Sequence, residues 1–208
     1  MRARPLALAA TGLALTGLLS ACGTGADHNT MGAVADGFAS ANLTGRAADI
    51  AFAQLMIPHH RQAVEMADLA LRYASSAEVE ELATQIKGAQ DPEIEQMTQW
   101  LKSWGAPLVM PGSDASGMPG TDHSGMDMGG VGMAGMMSAE DMASLSDSRG
   151  ADFDRAWLQM MIAHHQGALS MAEEVLATTD DPQVTALANA VVKGQQAEID
   201  TMQQLLAG

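Results

Sequence analysis

The sequence holds one cysteine among 208 residues. A disulfide framework is therefore excluded, as is any site built on several thiolates. Basic residues are scarce: ten Lys and Arg stand against 25 Asp and Glu, a formal charge of −15. Such a surface repels nucleic acid and favours cations, and by itself it means little more than solubility. No Glu-x-x-His motif occurs, so the ligand signature of carboxylate di-metal oxidases is missing. No stretch alternates apolar and polar residues as a strand would. No apolar run reaches the roughly 20 residues of a membrane-spanning helix.

The one extended apolar run, Leu6 to Leu19, is N-terminal, follows Arg2 and Arg4, and ends in "LSAC" at 19–22. A basic start, an apolar middle and small residues before a cut make residues 1–21 a predicted secretory signal. "LSAC" also resembles the lipobox of bacterial lipoproteins. That resemblance implies that Cys22 becomes the lipidated first residue, anchoring an exported chain to the outer face of the bacterial cell membrane. A free cysteine at an ordinary cleavage site is the alternative. Loss of Arg2 and Arg4 takes the formal charge from −15 to −17. The mature part then has no thiol in an oxidising compartment. Its core must hold it together, and any soft-metal chemistry must proceed without thiolates.

What the chain does have is a repeated phrase. "LMIPHHRQAVEMA" at 55–67 returns as "MMIAHHQGALSMA" at 160–172, and four of the six histidines lie in it. A shift of 105 residues lays Asp49–Leu101 on Asp154–Leu206 without a gap, with 20 of 53 positions identical. The matches run from His59/His164 and His60/His165 through Gln90/Gln195, Glu93/Glu198 and Met97/Met202. This is an internal duplication. Each copy reads as two helices. Phe52, Leu55, His59, Ala63, Met66 and Ala70 recur at spacings of three and four, and a second stripe runs from Val79 to Leu101. Ser75 and Ser76 mark the break in the first copy, and "TTDDP" at 178–182 marks it in the second, with Pro182 suited to a first helical turn. Pro58 removes one backbone donor and predicts a bend beside the first histidine pair. The expected organisation is a tether over 22–45, a first hairpin over 46–105, an irregular Met-rich insert over 106–150 and a second hairpin over 151–208. The expected fold is all-α, a four-helix bundle of two repeated hairpins with one long connection.

On a helix, adjacent residues point about 100° apart, so His59 and His60 cannot both face one ion from one undistorted helix. Met56 lies one turn before them and can meet either. Met66 returns to the azimuth of His59 two turns on, about 10 Å along the axis, and suits a ligand set shared with another helix. The second copy supplies Met161, His164, His165 and Met171. Imidazole plus thioether is a soft, neutral donor set that suits Cu(I), with Ag(I) similar in softness, and tolerates Cu(II) through the imidazoles. The plainer alternative is methionine as core filler and histidines as hydrogen-bonded structure. Met97 and Met202 alone read as core. The insert carries eight of the 17 methionines between residues 110 and 142. Its "DHSGMDMGG" places His123, Met126 and Met128 within reach of one ion, although compositional drift would give the same look.

"MIPHHRQAVEMA", "MIAHHQGALSMA" and the trailing "QDPEIEQMTQWL" together resemble the domain-of-unknown-function-305 family over residues 49–101 and 152–206. The resemblance implies a ferritin-like four-helix fold, export and, for some members, copper binding and copper tolerance. Carried over by position, it implies His59, His60, Met66, His164, His165 and Met171 as ligands. The long Met-rich insert departs from the general pattern. The leading expectation is thus a non-enzymatic, membrane-anchored copper buffer or chaperone, with an envelope protein that donates or receives the ion. A metal-free interaction module and a ferritin-like oxidase are the alternatives. For the oxidase, Glu93 and Glu198 are the only matched candidates for inward glutamates, one per repeat, which is too few.

Overall fold

The computed structural model describes residues 43–110 and 134–208. The predicted signal, Cys22 and most of the tether lie outside the described residues, as do His123, Met126 and Met128. The helices are α1 (Arg46–Tyr73), α2 (Ala77–Ser103), α3 (Ala139–Asp147), α4 (Gly150–Leu176) and α5 (Pro182–Ala207). There is no strand among the described residues. None of these helices is long and apolar enough to cross a membrane.

The helix starts follow the repeat. Ser76 caps α2, its hydroxyl accepting from the Val79 amide at 3.3 Å. Asp181, at the matching position, caps α5 by accepting from the Gln183 and Val184 amides, with Pro182 in the first turn. Pro58 lies inside α1, which nevertheless runs unbroken through it, and Pro92 lies likewise within α2. The insert is not irregular throughout, as its composition predicts. Ser138 and Asp141 form a reciprocal capping box that starts α3, and Leu145 buries itself to anchor that helix.

α1 packs along α2 and α4 along α5, and the two hairpins meet chiefly through α1 against α4. Two apolar clusters form. One joins Phe52, Met56 and Ile57 of α1 to Met97 and Leu101 of α2, Met171 and Val175 of α4, and Leu187 and Val191 of α5. The other joins Met66 and Ala70 of α1 to Leu82 and Ile86 of α2, Phe153, Trp157 and Met161 of α4, and Met202 of α5. The first half of α1 thus meets the second half of α4, so the two are antiparallel and the repeats are related by a pseudo-two-fold axis. Each fully buried Leu, Phe or Met contributes about 1.5–3 kcal/mol. The result is the predicted bundle, a four-helix assembly of two hairpins with α3 added at its side.

A matched pair of clasps sets how the hairpins dock. Asp154, at the start of α4, accepts from the Ser75 amide at 2.9 Å and the Ser75 hydroxyl at 2.5 Å. Asp49, its counterpart in α1, accepts from the Thr179 hydroxyl at 2.5 Å. Each carboxylate begins one hairpin and ties down the turn of the other. Both are buried, so leaving their partners unsatisfied is costly. Asp154→Ala should lower stability by about 1–3 kcal/mol, read as a fall in the urea midpoint with helical content retained. An unchanged midpoint would show that this clasp carries no weight.

Candidate metal centre

Between the two apolar clusters lies a polar layer. On α1, the first cluster ends at Ile57 and the second begins at Ala63. On α4, the second cluster ends at Met161 and the first resumes at Ala168. His59 and His60 fill the first gap, and His164 and His165 the second. All four are buried, none more than 1 % exposed. The matching gaps of α2 and α5 hold Gln90 with Glu93, and Gln195 with Glu198.

Adjacent histidines face different ways, as the helical 100° step requires. His59 and His164 point between the hairpins, and their rings meet with centroids 3.8 Å apart and planes 41° apart. His60 and His165 point within their own hairpins. The His60 Nε2 is 2.7 Å from Glu93 Oε2, and the His165 Nε2 is 2.7 Å from Glu198 Oε2. The repeats therefore build one shared centre and not two remote ones. The rings of the neighbouring His164 and His165 have centroids 6.4 Å apart and planes 56° apart.

The hydrogen bonds decide which nitrogen is free. A carboxylate accepts, so His60 and His165 donate from Nε2 to their glutamates. A backbone carbonyl also accepts, so His59 donates from Nε2 to Ala134 O at 3.2 Å. In the neutral form of each ring this leaves the lone pair on Nδ1. The Nδ1 atoms of His59, His60, His164 and His165 are buried and have no hydrogen-bond partner, and the Nε2 of His164 has none either. A histidine whose far nitrogen donates to a carboxylate or carbonyl has the usual arrangement of a metal ligand awaiting its ion.

Burial keeps two of these rings neutral. His59 is pushed down to about 3, chiefly by desolvation and then by His60, with the Ala134 carbonyl opposing. His164 is held well below 6.5, again chiefly by burial, then by His59, His165 and His60. The backbone of His59 opposes this without closing a hydrogen bond of good geometry on either ring nitrogen. Neutral imidazoles keep their lone pairs well into acid.

The methionines flank the layer in matched groups. Met56 and Met171 lie in the cluster on one side, together with Met97. Met161 and Met66 lie in the cluster on the other side, together with Met202. Met66 thus shares its apolar cluster with Met161 of α4. Among the described residues no three His, Cys, Asp or Glu side chains converge as a ready-made ligand group. No carboxylate cage for a hard cation is built among the described residues.

The matched Glu93 and Glu198 hold the inner histidines, each within its own hairpin. Gln90 and Gln195 escaped notice as site residues. Both are buried in the layer with amide atoms lacking a partner. Their identity across the two copies was the available signal. Ala134, which holds His59, lies within the insert and left no trace in the repeat.

A four-helix bundle whose centre is a layer of four buried histidines, with methionines in the apolar clusters on either side, defines the class: a helical protein with a buried histidine layer. The chain belongs to the DUF305 family, whose model, Domain of unknown function (DUF305), matches residues 49–206. It is similar to a DUF305 protein from Streptomyces coelicolor, at 32 % identity and a TM-score of 0.65, covering 77 % of this chain and 92 % of that one. A DUF305 fragment from Deinococcus radiodurans is 31 % identical with a TM-score of 0.63, covering 79 % and 99 %. CopM in its Cu(II)-bound form is 31 % identical with a TM-score of 0.62, covering 76 % and 95 %. CopM has also been solved with Cu(I) and with silver. No protein of curated function matches the chain.

Below about pH 6.5 the unfolded chain protonates these imidazoles, whereas folded His59 resists protonation until about 3. Acid therefore draws the metal-free protein towards unfolding between those limits, by about 1.4 kcal/mol per pH unit for each such imidazole. The urea midpoint should fall through this window, and a His59→Gln, His164→Gln variant should fall less steeply. Equal slopes would mean that the rings are not buried as neutral groups.

Proposed function

We propose that this protein binds copper, with Cu(I) preferred, as an exported, membrane-anchored buffer or chaperone in copper tolerance. The observation that carries the reading is the set of four buried, unpartnered Nδ1 atoms in one layer. An unpaired buried polar nitrogen costs free energy of order 1–3 kcal/mol. Four of them gathered in one layer make sense as donors prepared for an ion. The methionines in the clusters on either side of the layer would be the source of thioether donors. That set matches the softness of Cu(I), accepts Ag(I) on the same ground, and reaches Cu(II) through nitrogen. CopM, a relative with the same fold, is known in copper- and silver-bound forms.

The proposed ligands of the bundle are His59, His60, His164 and His165, with Met56 and Met171 on one side and Met66 and Met161 on the other. Glu93 and Glu198 orient His60 and His165. His123, Met126 and Met128 form a further proposed soft-donor group in the insert. Action is by ligand exchange among histidine and methionine donors, without bond-making catalysis. Export and anchoring rest on the N-terminal pattern and Cys22. The donor or receiver of the ion is then an envelope protein.

The test is a Cu(I) titration of residues 23–208 against a chromophoric Cu(I) chelator. Tight binding is expected in the wild type and in a deletion of residues 111–133. Changing His59, His60, His164 and His165 to Ala should abolish it. Loss in the deletion alone would move the copper to the insert, and no competition by any form would end the copper reading. Glu93→Ala with Glu198→Ala should weaken binding about 10–100-fold, and unchanged affinity would deny the glutamates their orienting role.

A further inference from the structure

Among the places where the two copies differ beside the histidines, one pair of positions meets a common segment. Gln62 of the first copy stands opposite Gly167 of the second, both three residues after the first histidine of the pair. Both departures serve the same segment, Ala134–Met137. Gln62 holds it from α1 by a two-way pair: its Nε2 donates to Met137 O at 2.8 Å, and its Oε1 accepts from the Met137 amide at 2.7 Å. Gly167 makes room for it on α4. A Cβ there would lie 1.8 Å from the Ala134 oxygen and 2.6 Å from the Ala134 carbonyl carbon. Gly135 answers from the segment itself. Its φ is +79°, and a Cβ there would stand 2.4 Å from the Ala163 oxygen. Backbone thus lies directly on backbone across the seam of α1 and α4, above the one place where His59 and His164 touch.

This contact makes the two halves of the centre unequal. The Nε2 of His59 is taken by the Ala134 carbonyl, whereas His164, its counterpart, has neither nitrogen bonded. We propose that Ala134–Met137 is a positioning strap: it locks His59 as the Nε2–H tautomer with Nδ1 turned to the layer, and it leaves His164 as the one adjustable imidazole. A symmetric duplication is thereby turned into a centre with three fixed donors and one that can switch nitrogen. Such a donor lets an ion enter or leave by exchanging one bond at a time. The inference rests on the copper-binding reading for its purpose, but the tautomer lock stands or falls on its own.

Two-bond ¹⁵N NMR correlation of the histidine rings in the metal-free protein reads the lock directly. Wild-type His59, His60 and His165 should each appear as the pure Nε2–H tautomer. In Gly167→Ala the added methyl must lift the strap, so His59 should become a tautomer mixture while His60 and His165, held by glutamates, stay unchanged. Cu(I) affinity should fall about tenfold, at the lower end of what loss of such an orienting partner costs. An unaltered His59 tautomer in Gly167→Ala would overturn the proposal, and so would an unaltered affinity beside an altered tautomer. If Gly167→Ala loses its helical signal, Gln62→Ala decides by the same two readouts, since it removes two hydrogen bonds and adds no bulk. Failure of the wild type to bind Cu(I) would end the copper reading while the ring spectra still judged the lock.

Discussion

Everything in this bundle is arranged around a layer of imidazoles that cannot reach water. Four histidines cross a core whose other residues are almost all apolar, and each keeps a ring nitrogen with nothing to bond. An interior so placed needs compensation. The two apolar clusters on either side provide it, with buried Phe, Trp, Leu, Ile and Met enough to hold the helices together across the polar gap. Without a disulfide, this division of the core into three storeys is what lets a layer of histidines sit at the middle of the bundle.

The pseudo-two-fold axis explains why a short phrase had to be duplicated. One hairpin supplies one outward histidine, one inward histidine held by its own glutamate, and methionines a turn or two away. Only when the second hairpin is laid antiparallel do the outward histidines meet and the methionines of α1 join those of α4. The Asp49 and Asp154 clasps fix that docking from both ends. The symmetry then ends at the strap, where Gln62 and Gly167 differ because a single segment crosses the seam.

Most of the fold was legible. The helix pattern, the breaks at Ser76 and Asp181, and the pairing of the copies follow from local preferences and exact repetition, which survive in one dimension. α3 was not foreseen because it follows a Gly- and Met-rich run. Its Ser138-to-Asp141 capping box was nonetheless there to be read. The histidines and methionines of the site stood out through their identical placement, and so did Glu93 and Glu198. The roles of the glutamates, and the burial of Gln90 and Gln195, depended on which face of α2 and α5 turns inward at one level.

By itself the sequence determined the donor chemistry: no thiolates, matched imidazoles and thioethers, two helical hairpins. Donor type is a property of side chains, and helical period is a property of neighbours along the chain. Only the tertiary structure decided that His59 meets His164 while His60 and His165 turn to glutamates, and that Nδ1 is the free nitrogen. Those outcomes depend on contacts between residues 33, 75 or 105 positions apart. No local preference encodes such contacts, and the packing of the two hairpins settles them together.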